Sequence, residues 1–245
     1  MSGRLDGRVA VITGGAGAIG GVLVERLCQE GARVVVADLD ASKAESFAQG
    51  LTIPDRSMVA FRTTNALAGE SVKQMVDSVV EEFGQLDILI PLVGGSKDAL
   101  LYKMTDEQWD TVMDLNLKTT FLACRAVVPH MMERGYGKIV LMSSRSYQGN
   151  IGQVNYSAAK AGIIGFTSAL AREMARYKVN VNCVVPGFID NPRLASMEEK
   201  YRQMRIDLNP FKQIGDPLDV ANAILFLASD ESRQITGQAL HVAAW

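Results

Sequence analysis

Short runs of consecutive apolar residues alternate along the chain with longer stretches in which apolar positions recur at helical spacing. The runs are rich in valine and isoleucine, and segments such as RVVVAD at 33–38 are apolar at successive positions. Such runs are typical of central strands in a parallel sheet that helices cover on both faces. The pattern predicts strands near residues 8–13, 33–38, 57–62, 86–91, 138–143, 179–185 and 238–243.

Helical periodicity fills the intervals between the strands and predicts helices near residues 18–30, 41–50, 69–84, 105–134, 155–177 and 216–228. Strands that alternate with helices indicate an α/β fold with a doubly wound parallel sheet, in a single domain over 1–245. Ligands of such sheets bind beyond the carboxyl ends of the strands. The stretch 188–215 shows no clear strand pattern, and we interpret it as a variable lobe over the substrate, with a plain surface excursion as the alternative.

Charge and hydropathy exclude several partners. Lysine and arginine total 25 against 27 for aspartate and glutamate, which leaves a net charge of -2 and no basic stripe for nucleic acid. The apolar run Val9–Ile12 near the N-terminus is too short for a signal peptide or a membrane span. We therefore expect a cytoplasmic protein with no nucleic-acid partner and no membrane partner.

The cysteines and histidines do not suggest a metal site. Cys28, Cys124 and Cys183 lie far apart in apolar stretches, which predicts buried, reduced thiols. His130 falls in a helical pattern and His241 in the last strand, and neither has a companion at ligand spacing. We predict no metal.

A glycine-rich turn, TGGAGAIG at 13–20, follows the first predicted strand and opens the first helix. Glycines let the backbone approach a pyrophosphate closely, and the helix N-terminus offers N–H groups and the positive end of its dipole. The turn therefore predicts a dinucleotide site. Its candidate cofactor-binding residues are Gly14, Gly15, Gly17, Ile19 and Gly20.

The second predicted strand ends at Asp38, where a carboxylate can accept hydrogen bonds from both hydroxyls of an adenine ribose. Such a carboxylate repels a 2′-phosphate. The glycine turn contains no arginine or lysine, and Leu39 follows the acid, so we predict NAD and not NADP. Alternatively, Asp38 is a solvated acid that caps the next helix, which would suit either cofactor.

Tyr156 and Lys160 lie four residues apart in a predicted helix, so both occupy one helix face. A tyrosine pKa of about 10 makes the side chain a poor base at neutral pH, but a nearby ammonium stabilises the phenolate. Lowering that pKa to about 7 requires about 4 kcal/mol. The spacing indicates a proton-transfer pair, although the same pattern also occurs as an ordinary surface pair.

Further motifs follow in a fixed order: Asn116 in MDLNLKTTF, Ser143 ahead of YSAAK, and PGFID at 186–190. Together with the glycine turn and Asp38, they make the chain resemble the short-chain dehydrogenase/reductase family over essentially its whole length. The resemblance implies a Rossmann-type α/β domain. It also implies an NAD(P)-dependent oxidoreductase that interconverts a secondary alcohol and a ketone by hydride transfer.

The resemblance implies a role for each matching residue. Tyr156 transfers the proton, and Lys160 lowers its pKa and binds the nicotinamide ribose. Ser143, thirteen residues before the tyrosine, polarises the substrate, with Ser144 as the alternative, and Asn116 holds a water that connects Lys160 to solvent. The remaining implied cofactor-binding residues are Val93, Gly94, Pro186, Gly187 and Ile189, and the implied substrate-side residues are Gly95 and Ser96.

The chain departs from the family pattern at several positions. Ala18 replaces the middle glycine of the phosphate turn, a change that should only tighten it slightly. Pro91 and Leu92 stand where the family usually has asparagines, which predicts either a reshaped strand end or an altered cofactor wall. Asn65 replaces an aspartate that meets the adenine, and Asn191 replaces a threonine near the carboxamide, and both retain hydrogen-bonding ability.

Basic residues point to an anionic substrate. Arg145, two residues after Ser143, is suited to a bidentate grip on a carboxylate or phosphate, which suggests a hydroxy acid, a keto acid or an acyl thioester. A surface arginine paired with a helix acid is the alternative. Further basic residues could meet a coenzyme A phosphate, but their neighbours Glu198 and Glu199 favour a solvated helix face: Lys97, Arg193, Lys200, Arg202 and Arg205.

Three functions stay open: an NAD-dependent dehydrogenase of a secondary alcohol, an NADPH-dependent 3-oxoacyl-thioester reductase, and a weakly active structural subunit that pairs with an active homologue. The motifs GQVNYSAAKAG and ITGQALHV resemble the second class, and the altered PLVG turn and the terminal HVAAW suggest the third. Family members commonly form tetramers through the helices corresponding to 105–134 and 155–177 and through the last strand. We expect a homotetramer, with a hetero-oligomer as the alternative; the apolar end at 242–245 would suit such burial.

Overall fold

Seven parallel strands form one sheet in the order β3-β2-β1-β4-β5-β6-β7 in a computed structural model that describes residues 3–40, 47, 49–191, 194 and 197–242. The strands are β1 Val9–Thr13, β2 Arg33–Asp38, β3 Val59–Thr63, β4 Ile88–Pro91, β5 Gly137–Met142, β6 Val179–Pro186 and β7 Ala239–Val242. Each lies within two residues of its predicted position, so the predicted sheet is confirmed.

Helices connect the strands. They are α1 Ala18–Gln29, α2 Gly69–Phe83, α3 Asp106–Met113, α4 Thr119–Arg134, α5 Val154–Met174, α6 Glu199–Leu208 and α7 Pro217–Ala228. The predicted helix near 41–50 falls mostly outside the described residues. The predicted segment 105–134 is two helices, α3 and α4, joined by a π-helical turn over Asp114–Lys118. Within the described part of the chain, no helix is both long and apolar enough to cross a membrane.

Each strand packs against helices on both of its faces, which explains the continuous apolar runs. In β1, Val9 and Val11 belong to a core cluster with α2, α4 and α5, whereas Ala10 and Ile12 belong to a second cluster with α1 and α7. Because successive side chains of a strand point to opposite faces, both sets must be apolar. The predicted α/β fold class is therefore confirmed. Cys28, Cys124 and Cys183 are buried, unpaired thiols, as predicted.

The sheet reverses its strand order next to β1, which pairs with β2 on one side and β4 on the other. At such a switch point the connections leave in opposite directions, and a crevice opens beyond the carboxyl ends of the two strands. The glycine turn follows β1 and the segment 92–96 follows β4. Both predicted motifs therefore lie at this crevice.

The stretch 188–215 contains a regular helix, α6, whose bounds the sequence pattern did not predict. None of the ten side chains of α6, all within the described residues, is buried, and charged or polar residues outnumber apolar ones in it, so it does not have the composition of a core-facing helix. A bridge between Ile189 and Gly215 ties both ends of the stretch together, and the Gly215 N–H donates to the Phe188 carbonyl at 2.9 Å. The single domain and the substrate-covering role of this lobe stay predictions.

Candidate active site

The glycine turn leaves no space for side chains at two of its positions. Gly14 has a φ of +68°, and a Cβ added there would lie 2.8 Å from the backbone nitrogen of Val93. A Cβ added at Gly20 would lie 1.9 Å from the carbonyl oxygen of Gly15. Gly14 adopts a left-handed backbone conformation, which favours glycine, and the absence of a side chain at Gly20 lets α1 pack directly on the turn. The sequence therefore needs glycine here for folding as well as for any ligand.

The N-terminus of α1 suits an anion. Gly17 is its N-cap, no described side chain caps the helix, and its first turn has no acidic residue. The first N–H groups and the positive end of the helix dipole therefore face the crevice. A Cβ added at Gly17 would have its nearest neighbour 3.9 Å away, so this side of the turn is open. These features fit a dinucleotide pyrophosphate.

The residues predicted to meet the adenosine lie at the ends of β2 and β3. Asp38 is partly buried, and its Oδ1 accepts the N–H of Leu39 at 2.8 Å. Asn65 is exposed, and its Oδ1 accepts the N–H of Leu67 at 3.0 Å, which closes a local turn. The start of the helix that Asp38 would cap in the alternative interpretation lies outside the described residues.

Pro91 does not disrupt the sheet. It is the buried last residue of β4 and stands opposite Thr13 of β1. Since proline has no N–H, the next residue supplies the bond: the Leu92 N–H donates to the Thr13 carbonyl at 2.8 Å. The strand end therefore keeps its contact with β1 without the asparagine amides, and Val93 still packs against Gly14.

Lys160 is held inside the protein next to Tyr156. Both lie in the first two turns of α5, which follows β5 in the chain. The Lys160 side chain is 4% exposed, and its Nζ donates to the carbonyl oxygen of Met142 at 2.9 Å. The same Nζ lies 5.4 Å from the centroid of the Tyr156 ring. The ammonium therefore lies where it can stabilise a negative charge on that phenol.

Burial changes the acidity of Lys160. Loss of hydration lowers the pKa of its ammonium from 10.5 to about 8, and nearby Cys183 opposes this only in part. The amine is therefore still mostly cationic at pH 7, but it loses its proton at a lower pH than an exposed lysine does. A surface pair of tyrosine and lysine would not show this shift.

Asn116 lies in the π-helical turn and is fully buried. Its Nδ2 donates to the carbonyl oxygens of Gly95 and Val112, both at 2.8 Å. Its Oδ1 has no hydrogen-bond partner among the described residues. A Cβ added at Gly94 would lie 2.7 Å from this Oδ1 and 3.6 Å from the Nζ of Lys160. The missing side chain of Gly94 therefore leaves a small gap between the amide oxygen and the ammonium.

Ser143 follows β5 and is 2% exposed. Its hydroxyl donates to the main-chain carbonyl oxygen of Lys160 at 2.8 Å, which joins the end of β5 to α5. The neighbouring Ser144 uses its Oγ to accept the N–H of Ser146 at 3.2 Å, as the cap of a short 3₁₀ turn. The two serines therefore have different tasks in the structure, and Ser143 is the one bonded to the lysine backbone.

Comparisons with known proteins agree on one family. A family model described as Enoyl-(Acyl carrier protein) reductase matches residues 14–244. The chain is 40% identical to the hydroxy(phenyl)methylsuccinyl-CoA dehydrogenase subunit BbsD of Thauera aromatica, over 97% of this chain and 96% of that protein. It is also 40% identical to the 3-oxoacyl-(acyl-carrier-protein) reductase FabG of Thermotoga maritima, over 98% and 97%. The chain belongs to the short-chain dehydrogenase/reductase family.

The solved structure of a levodione reductase matches with a TM-score of 0.93 at 28% identity, over 98% of both chains. The resemblance seen in the sequence motifs is therefore confirmed, and so is the fold. As a short-chain dehydrogenase/reductase, the chain is an oxidoreductase that acts on CH–OH groups with a nicotinamide cofactor.

A cavity of about 370 Å³, here called the catalytic cavity, brings together residues from several strand ends. The sequence-predicted residues that line it are Ile19, Gly94, Gly95, Ser96, Ser143, Tyr156, Lys160, Pro186, Gly187 and Ile189. Leu92, Ser144, Asn191 and Arg205 line it as well. The remaining predicted site residues lie outside its described lining, and among them Arg145 lines two neighbouring cavities. Arg145 is thus outside the described lining of the cavity that contains Tyr156, and its predicted substrate contact stays a prediction.

The sequence did not indicate several residues of this short-chain dehydrogenase/reductase site: Met142, Ser146, Asn150, Gln153 and Phe188. Phe188 and Arg205 line the catalytic cavity, and the Arg205 guanidinium carbon lies 5.3 Å from the centroid of the Phe188 ring. The sequence pattern favoured a solvated helix face for Arg205. That side chain is indeed exposed, but it also lines the catalytic cavity, and no local pattern signals this. Phe188 belongs to the PGFID motif, which could have indicated it.

Proposed function

We propose that this short-chain dehydrogenase/reductase is an NAD-dependent enzyme that interconverts a secondary alcohol and a ketone, with Tyr156 as its proton-transfer residue. The observation that carries the proposal is the buried ammonium of Lys160, 5.4 Å from the Tyr156 ring at the catalytic cavity. A cation held in a site shielded from water stabilises a phenolate more strongly than one in solvent.

In this proposal, different side chains of the protein have separate roles in the proton transfer. The nicotinamide ring, when bound, supplies the position that accepts or donates the hydride. Tyr156 takes the proton from the alcohol, or returns it to the ketone oxygen. Ser143 polarises the same oxygen once its hydroxyl turns from the Lys160 carbonyl towards the cavity. The unpartnered Oδ1 of Asn116 holds a water beside Lys160, through which the proton reaches solvent.

The crevice between β1 and β4 would hold the dinucleotide. Gly14, Gly15, Gly17, Ile19 and Gly20 would hold its pyrophosphate, and Asp38, Leu39 and Asn65 its adenosine. Val93 and Gly94, the side chains of Tyr156 and Lys160, and the segment Pro186, Gly187 and Ile189 would hold its nicotinamide half. The tight glycine turn and the uncapped N-terminus of α1 support this placement.

Asp38 supports NAD over NADP, because a carboxylate at the end of β2 accepts the ribose hydroxyls and repels a 2′-phosphate. We expect the enzyme to use NADH with a kcat/KM at least about tenfold above that with NADPH. Asp38→Asn should raise the KM of NADH and so reduce the ratio of kcat/KM with NADH to kcat/KM with NADPH. Equal use of both coenzymes by the wild type would refute the assignment.

The assignment of Tyr156 is tested by Tyr156→Phe. The variant should lose turnover by a factor of about 10² to 10⁴, because it lacks the proton-transfer group, but should bind NADH nearly as well as the wild type. Tyr102→Phe is the matched control, since Tyr102 is 78% exposed and does not line the cavity. Rates are followed at the nicotinamide absorbance band, and binding by NADH fluorescence. Turnover near the wild-type rate in Tyr156→Phe would end the proposal.

A 3-oxoacyl-thioester reductase is the second candidate, supported by the 40% identity to FabG of Thermotoga maritima. It predicts that NADPH is the better reductant and that a 3-oxoacyl thioester is the best substrate. The same comparison of coenzymes separates the two candidates. The third possibility, a structural subunit, is disfavoured by the intact arrangement of Ser143, Tyr156 and Lys160.

We further propose a homotetramer that works in the cytoplasm. Trp109 on α3 and Phe121 on α4 are 39% and 41% exposed, which supports an interface on these helices. The apolar residues 243–245 lie outside the described residues. Sedimentation of the purified chain gives its oligomeric state, and a monomer at micromolar concentration would contradict the proposal.

A further inference from the structure

A second cavity of about 300 Å³ adjoins the catalytic cavity. It lies between the 3₁₀ turn at 145–148 and helix α6, and we call it the arginine cavity because Arg145 and Arg205 both line it. Arg205 and Phe188 line the catalytic cavity as well. A ligand can therefore have one end beside Tyr156 and the other between the two arginines.

The charged side chains that line this cavity are all positive among the described residues. Among the described residues that line it, two are arginines and none is an aspartate or glutamate. The described lining of the catalytic cavity likewise has Lys160 and Arg205 but no carboxylate. Asp219 lines a third cavity on the far side of the arginines, and its Oδ2 accepts the N–H of Asp216 in the cap of α7. The arginine cavity thus favours a negatively charged group.

Arg205 is held in a defined place. Its guanidinium lies over the Phe188 ring, at 5.3 Å from the centroid, and Phe188 lies two residues after β6 ends at Pro186. Stacking on a ring leaves the edge of the guanidinium free to make paired hydrogen bonds. Within the described residues, Arg205 makes no ion pair, whereas Arg202 on the same helix pairs with Glu199 at 3.7 Å.

The cavity also has an apolar part. Met204 and Leu208 of α6 line it, on the same side as Arg205, and they are 53% and 65% exposed. Gln148 and Asn150 add amide groups from the opposite wall. A volume of about 300 Å³ suits a short chain with a small charged end better than a nucleotide.

We propose that Arg205, together with Arg145, is a specificity-determining residue that binds a carboxylate of the substrate, several atoms away from the carbon that exchanges hydride. The inference rests on the proposed oxidoreductase function and narrows its substrate class to keto and hydroxy acids. The two arginines hold the acid group, the side chains of Met204 and Leu208 cover the intervening chain, and Tyr156 meets the reacting oxygen.

The first test compares an acid with its uncharged ester. With NADH, 5-oxohexanoate should be reduced with a higher kcat/KM than methyl 5-oxohexanoate. Arg205→Gln should lower kcat/KM for the acid about tenfold or more, through KM, and change the ester less than about twofold. Arg202→Gln is the matched control on the same helix and should behave like the wild type. Equal losses for acid and ester, or no loss for either, would overturn the proposal.

The second test needs no turnover. Glutarate, titrated calorimetrically into the wild-type enzyme, should bind, and Arg205→Gln should raise its Kd about tenfold while Arg202→Gln leaves it unchanged. No binding to the wild type, or equal binding to Arg205→Gln, would overturn the proposal. If no ketone is reduced with either coenzyme, the proposed function is wrong. The glutarate titration would still show whether the two arginines bind a carboxylate.

A thioester offers another anion, the phosphates of coenzyme A. If glutarate does not bind and Arg205→Gln impairs only acetoacetyl-CoA reduction, the arginines serve those phosphates and the carboxylate proposal is wrong. Helix α6 has no buried side chain, so Arg205→Gln should fold normally, and circular dichroism checks this.

Discussion

Lys160 shows how burial of a single residue sets both chemistry and stability. Its pKa is lowered to about 8 because the folded chain withholds water from the ammonium, whereas the unfolded chain restores the ordinary value of 10.5. Between these two values the unfolded state binds more protons than the folded state. The contribution of this group to stability is therefore least favourable at neutral pH and improves as the pH rises from about 8 to about 10.5.

Lys160→Met should accordingly unfold at a higher urea concentration than the wild type at pH 7, because it removes a buried charge. That advantage should shrink as the pH is raised towards 10, since the wild-type amine is then neutral when folded. Urea unfolding at a series of pH values measures the difference. Lys97→Met, at an exposed position, is the control and should show no such trend. A stability difference that is independent of pH would contradict the assigned cause.

Gly94 allows a second prediction at this scale. An alanine there would place a methyl carbon 2.7 Å from the Oδ1 of Asn116, an amide that two hydrogen bonds hold in place. We expect Gly94→Ala to fold but to lose turnover by about tenfold or more, since Asn116 must move away from Lys160. Gly165→Ala in α5 is the control, because its added methyl would have no neighbour within 4 Å. Wild-type kcat/KM in Gly94→Ala would contradict this role.

At the scale of elements, the glycine turn between β1 and α1 is needed both for folding and for binding the cofactor. Substitutions at two of its glycines can separate these two roles. A methyl at Gly20 collides with the carbonyl oxygen of Gly15, whereas a methyl at Gly17 points into open space. Gly20→Ala should lower both stability and NADH affinity. Gly17→Ala should keep its stability but weaken NADH binding about tenfold, because the methyl occupies the approach to the pyrophosphate.

Thermal unfolding and NADH fluorescence titration, carried out on both variants, measure the two effects. Normal NADH affinity in Gly17→Ala would show that the pyrophosphate does not approach this side of the turn. Unchanged stability in Gly20→Ala would mean that α1 can move away from the turn.

The elements also show why one helix was missed. Helices α1, α2, α5 and α7 have buried faces and were predicted, apart from small shifts at their ends. Helix α4 also has a buried face, but it was predicted as part of one longer helix over 105–134. Helix α6 packs no side chain into the core, and its sequence EKYRQMRIDL is mostly charged or polar, so it does not have the pattern of a helix with a buried face. The same lack of packing leaves Met204 and Arg205 available to a ligand.

For the molecule as a whole, the amino-terminal edge of the sheet carries stability and the carboxyl-terminal edge carries the site. Asp87, fully buried beside β4, accepts the N–H of Val9 at 2.9 Å and the Nε2 of Gln85 at 2.8 Å. Arg8 and Arg134 approach its Oδ1, both at 3.4 Å. This carboxylate therefore ties β1, β4 and α4 together at the end opposite the catalytic cavity.

Asp87→Ala should destabilise the protein by about 3–5 kcal/mol, because it leaves buried donors and two arginines without their partner. The kcat of the folded fraction, measured well below the melting temperature, should stay near the wild-type value. Asp77→Ala is the control, since Asp77 forms an exposed pair with Lys73 within α2 and should matter little. A large loss of kcat in fully folded Asp87→Ala would contradict the assignment of stability to one edge of the sheet and of catalysis to the other.

The sequence by itself determined the strands, most helices and the motifs at the strand ends. These features are local: a strand buried on both faces is apolar throughout, a tight turn requires glycine, and the spacing of Tyr156 and Lys160 places them on one helix face. The family resemblance rests on the same local motifs, and the comparisons confirm it.

Only the tertiary structure decided which distant segments meet and which groups lose water. It buries Lys160 and lowers its pKa, bonds the Ser143 hydroxyl to the Lys160 backbone, and leaves the Oδ1 of Asn116 without a protein partner. It also places Arg205, and not Arg145, in the described lining of the cavity that contains Tyr156. No pattern of neighbouring residues encodes these facts, because hydration and long-range contacts depend on how the whole chain packs.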